Sequence, residues 1–163
     1  MHRIRNSVMG TVLAAAVAAF GMQAAAQSPE PVSSDPQRQV EERKAEMKRL
    51  GDAMKTIGAF VKNEGGTVED VREAATTIRG TSGKMVPHLF PAGTGVGVGE
   101  SEALPAIWER WADFEAVAGR LESTSAELVT TAQEGERTSI ARQFAAVGQS
   151  CGACHNDFRI KKQ

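Results

Sequence analysis

Four apolar stripes, each stepping by alternating threes and fours, confine this chain to a bundle of helices. The first is Met47, Leu50, Met54, Ile57 and Val61, set between charged positions. The second is Val71, Ala75, Ile78, Ser82, Met85 and Leu89. The third is Ile107, Trp111, Phe114, Ala118, Leu121, Ser125 and Leu128. The fourth is Ile140, Phe144, Val147, Cys151, Cys154 and Phe158. No run alternates with a period of two, so no strand is expected.

The punctuation between stripes agrees. Gly65-Gly66 stops the first, and Thr67 caps the second, with Glu69 and Asp70 in its first turn. The second stripe is the weakest, holding Gly80, Gly83 and Pro87, so it should be short or bent. Residues 91–101, PAGTGVGVGES, form a glycine-rich crossover. A phosphate-binding loop needs a preceding strand and a G-x-G-x-x-G spacing, and both are missing. Ser101 and Pro105 open the third helix and Gly135 ends it. The expectation is an all-α, antiparallel four-helix bundle.

Both cysteines of the chain fall in the fourth stripe, in the run Cys151-Gly152-Ala153-Cys154-His155. C-x-x-C-H is the attachment signature of a c-type haem. On a helix, residues three and four positions apart share a face, so both thiols and the imidazole point one way. The thiols can then form thioethers on one edge of a porphyrin, and His155 can reach the iron as proximal ligand. A thioredoxin-like motif would follow a strand, and a structural zinc site needs four ligands, for which the only other histidines are His2, in the leader, and His88. The haem therefore attaches near the C-terminus of the last helix, inside the bundle.

Residues 1–26 have the layout of a secretory signal peptide. His2, Arg3 and Arg5 are its basic start, Val8 to Phe20 its apolar run, and Ala24-Ala25-Ala26 its cleavage site. The run is too short to span a bilayer. Residues 27–36, QSPEPVSSDP, read as a disordered lead-in, and the bundle domain as residues 37–163. Export, with the signal cleaved, suits thioether attachment and points to a periplasm. Beyond residue 26 the chain has 17 Lys+Arg against 20 Asp+Glu, which gives no footprint for a nucleic acid and none for a membrane.

The chain resembles the class II c-type cytochromes, meaning cytochrome c′ and its low-spin relatives, from about residue 38 onward. The ending from Val147 to Arg159 carries most of the likeness. Phe90-Pro91-Ala92-Gly93-Thr94 and Leu104-Pro105-Ala106-Ile107-Trp108 add to it, and Arg43 to Gly51 looks like that family's distal helix. The resemblance implies one covalent haem c and places Met47 at the open face of the iron. Low-spin relatives have a methionine ligand there, whereas five-coordinate members have a blocking leucine or phenylalanine. Met47 also belongs to an ordinary core stripe, where methionine fills gaps well. Arg43, one turn before Met47, is implied as a partner for a haem propionate, against a plain surface arginine. Arg159 either screens the proximal side or complements the helix dipole. Trp108 either touches the porphyrin or staples helices.

Three functions follow in order. The first is an electron carrier with His/Met-ligated iron, served by redox partner proteins in the periplasm. The alternative is a five-coordinate protein binding nitric oxide or another small gas. An enzyme comes last, since no histidine between residues 3 and 87 supplies a distal acid–base group. The resemblance also allows a homodimer.

Overall fold

The computed structural model describes residues 34–161. The leader and residues 27–33 of the lead-in lie outside them. Helix α1 spans Pro36–Val61, α2 Val68–Ser82, α3 Ala106–Glu109, α4 Trp111–Glu134 and α5 Arg137–Phe158. The four long helices form the bundle, with α1 against α2, α2 against α4 and α4 against α5. Contact between α1 and α5 is sparser. Among the described residues there is no strand, only one antiparallel bridge between Ala103 and Arg159.

Local chemistry sets the ends. Asp35 caps α1, its side chain accepting the Gln37 N–H at 3.0 Å, and Pro36 takes the first turn, where its missing N–H costs nothing. The helix thus begins inside the segment expected to be lead-in. Thr67 and Asp70 form a reciprocal capping box at α2: Thr67 Oγ1 accepts the Asp70 N–H at 3.2 Å and Asp70 accepts the Thr67 N–H at 2.7 Å. Gly135 closes α4 at φ 78°, a left-handed conformation that glycine adopts without steric cost.

The middle of the chain meets the sequence reading at one point and departs from it at two. Helix α2 does end early, at Ser82, and the chain then makes a wide turn over Met85–Leu89 in which the Leu89 N–H reaches back five residues to Lys84 O. The third helix is not continuous from Pro105. Arg110 leaves the helical region at φ −123°, ψ 51°, splitting the one-turn α3 from α4. Ser101 does not open a helix at all; it lies inside the crossover.

The stripes are the core. Ile57, Val71, Ile78, Phe114, Leu128, Ile140 and Val147 are fully enclosed, each contributing about 1.5–3 kcal/mol of apolar burial. Phe114 sits edge-on between Phe90 and Phe158, at centroid distances of 4.8 and 5.5 Å. Met47, Met54, Cys151 and Cys154 are stripe positions that stay only half-buried. All four line one cavity.

Candidate haem site

The cavity has a volume of about 740 Å³, within the range of about 300–1,000 Å³ typical of cofactor pockets. Its walls come from α1, α4, α5 and the crossover, and the aromatic cluster of Phe90, Phe114 and Phe158 opens onto it. Cys151, Cys154 and His155 reach it from the last turns of α5, and Met47 from α1. The helical spacing expected from C-x-x-C-H is therefore realised, because Arg137–Phe158 is one unbroken helix.

Burial governs the titration of all three side chains. Burial pushes the Cys154 thiol up to about 11, with the neighbouring Cys151 and Asp157 adding to the rise and Arg159 opposing it. Burial also raises Cys151. Both remain neutral thiols at neutral pH, poor candidates for disulfide exchange or thiolate ligation. Burial lowers the pKa of His155, Arg159 lowers it further and Glu102 pulls the other way. A neutral imidazole is the form that binds a metal.

Two arginines face the same cavity. Arg43, only 5% exposed, is no surface arginine. Its Nη1 donates to Leu89 O at 3.2 Å and Thr94 Oγ1 at 2.8 Å; its Nη2 donates to Thr94 O at 2.7 Å and Ser101 Oγ at 2.8 Å. Its guanidinium also lies 4.9 Å from the centre of the Phe90 ring. Its principal contacts thus pin the crossover to α1. All four acceptors are neutral, so a buried positive charge stands at the cavity wall. Arg159 lies past the end of α5 in extended backbone, not on the helix. Its buried Nε has no hydrogen-bond partner among the described residues, and Glu102 is 3.8 Å away.

An apolar, aromatic-walled cavity, two thiols and an imidazole on one helix face, a buried cation and an unused N–H donor together fit a porphyrin with acidic side chains. Trp108 is a staple: its Nε1 donates to Phe90 O at 3.2 Å, its ring covers Gly95, and it does not line the cavity. Met54 and Met85 line the cavity beside Met47, which periodicity alone did not separate from core packing.

A helical bundle with its attachment face on the last helix and turned inward defines a class of c-type haem protein. The chain belongs to the cytochrome c′ family, whose profile matches residues 38–159. It is 40% identical over 124 residues to cytochrome c-556 of Agrobacterium tumefaciens strain B2A, covering 76% of this chain and 98% of that one. It is 29% identical over 148 residues to cytochrome c′ of Rhodospirillum rubrum, covering 91% and 96%. The solved cytochrome c′ of Rhodopseudomonas palustris superposes with a TM-score of 0.70 at 32% identity, covering 80% and 100%. The protein is a class II c-type cytochrome that binds haem c covalently.

Proposed function

We propose that this cytochrome is an exported, periplasmic electron carrier whose haem is fixed by Cys151 and Cys154 and whose iron is held by His155 and Met47. The observation that carries this reading is that Met47, His155 and both cysteines line one cavity although they come from two helices. The haem supplies one-electron chemistry when bound. The thiols tether it, the neutral imidazole of His155 and the thioether of Met47 donate to the metal, and α4 and the phenylalanines exclude water. Arg43 offers its charge to a propionate, although its terminal N–H groups are taken by the crossover, and Arg159 offers its unused Nε–H.

Mass spectrometry of periplasmic protein tests the attachment: the chain from Gln27 plus one haem, resistant to acid–acetone, is expected, and two free thiols would refute it. Optical spectra with and without carbon monoxide test the iron. Wild type should be low-spin and slow to bind carbon monoxide, and Met47→Leu high-spin and fast. Because Met54 and Met85 line the same cavity, each is replaced in turn, and only Met47 should change the spin state. A high-spin wild type that binds carbon monoxide rapidly would instead make this a gas-binding cytochrome.

A further inference from the structure

The chain is electrically two-faced. Residues 36–62, which are α1 and its C-terminal Lys62, carry seven Lys+Arg and four Asp+Glu. Residues 63–161 carry nine and fourteen. The helix that bears Met47 is therefore positive on a molecule that is otherwise acidic.

The positive charge is placed beside the cavity. Lys44, Lys48, Lys55 and Lys62 are spaced by four or seven residues and share one face of α1, with Gly51 in the same row. Lys44 and Gly51 line the cavity, so this face borders it. A Cβ on Gly51 would meet nothing within 4 Å, so the row is open backbone between Lys48 and Lys55. The acids here are outnumbered, although exposed Glu41, three residues before Lys44, shares the row. Asp52 is shared between Lys48 at 2.5 Å and Lys55 at 3.0 Å. Glu46, buried, is shared between Arg49 and Lys84, both at 3.0 Å. Glu100 pairs with Lys44 alone. The side chains of Lys48 and Lys55 are 78% and 81% exposed.

We infer that this lysine face of α1, next to the cavity, is where an electron-transfer protein with an acidic surface docks. The inference rests on the carrier reading for its partner class. Electron-transfer encounters use small interfaces below about 1,200 Å², which one helix face and a cavity rim can supply. Opposite charge in the partner would raise encounter rates and orient it toward the cavity.

The test uses reduced holoprotein and probes of known charge. Oxidation by hexacyanoferrate(III), an anion, should slow as ionic strength rises from about 10 to about 200 mM, although the chain as a whole is acidic. Oxidation by tris(phenanthroline)cobalt(III), a cation, should speed up. The Lys48→Glu/Lys55→Glu variant should lose about tenfold in hexacyanoferrate rate at low salt and reverse the salt dependence. Arg120→Glu/Arg142→Glu, exposed and outside the cavity lining, makes the same change in total charge and should keep the wild-type sign. As a readout independent of electron transfer, the redox-inert paramagnet hexacyanochromate(III) should broaden amide resonances of residues 44–62.

A wild-type hexacyanoferrate rate that rises with salt, equal effects of the two double variants, or broadening centred elsewhere would overturn the inference. So would cosedimentation with phosphatidylcholine–phosphatidylserine vesicles that the lysine variant loses, because the face would then serve a membrane. The carrier reading fails separately, through a high-spin, carbon-monoxide-binding resting spectrum that leaves the salt signs readable.

Discussion

Arg43 lies four residues before Met47 and Arg159 four residues after His155, and the chain treats the two arginines differently. Arg43 is buried and places four N–H groups on four acceptors, one on Leu89 and three in the crossover. Arg159 is half-exposed, keeps one long contact with Glu102 and leaves a buried Nε–H unmatched. Arg43 is built into the scaffold, whereas Arg159 is held by backbone pairing and keeps a donor in reserve. Leu104 N–H donates to Phe158 O at 3.0 Å and Ile160 N–H to Glu102 O at 2.9 Å, so the main chain places Arg159. One region spends side-chain bonds on rigidity, and the other obtains it from the backbone.

The largest effect should come from removing the body that both arginines face. Cys151→Ala/Cys154→Ala leaves a bundle around an apolar cavity, and calorimetry should show a melting temperature lower by roughly 10 °C or more, with loss of cooperativity. Native-like unfolding without haem would mean that neither arginine region depends on it. Next, Arg43→Met keeps the length of the side chain but strands its acceptors. Denaturant unfolding should show a loss of about 2–4 kcal/mol, and hydrogen exchange should quicken across residues 91–101. Gly95→Ala probes the same crossover from its other side. A new Cβ would lie 2.9 Å from the Trp108 ring, so a cost of about 1–3 kcal/mol is expected in the same assay.

Arg159→Gln should cost under about 1 kcal/mol, since its single ion pair is long and partly exposed. A cost equal to that of Arg43→Met would erase the contrast. The smallest effect is a control at the far end of α5. The backbone N–H groups of Thr138 and then Ser139 lower the Glu136 carboxyl to about 2. A depressed carboxylate contributes stability that is complete above its ordinary value near 4.5 and is lost as pH falls toward 2. The stability difference between wild type and Glu136→Ala should therefore vanish in acid titration toward pH 2, while the Arg43 difference, made with neutral acceptors, should not follow that titration.

The attachment face and the bundle were legible because both are written in local spacing. Heptad steps mark the buried faces, and Cys151, Cys154 and His155 lie within one helical turn and a residue. The role of Arg43 was not legible, because its acceptors lie 46 to 58 residues away and nothing in local sequence ties them together. The break at Arg110 was missed for a similar reason. Pro105 and the apolar spacing suit a continuous helix, and Ile107 and Phe114 are both buried as one would bury them, so only the Arg110 backbone reveals two segments. Met54 and Met85 show the limit of periodicity: a stripe residue facing a cofactor cavity and one facing another side chain have the same spacing.

The crossover also bears on the chain entropy that folding gives up. Ser101 is tied to Arg43 across 58 residues, and its neighbours Glu102 to Leu104 are zipped to Phe158, Arg159 and Ile160. Contacts so distant along the chain carry a loop-closure cost that a turn of helix does not. The strip that frames the cavity entrance is thus joined to α1 and to the end of α5 by contacts that are costly in chain entropy to close.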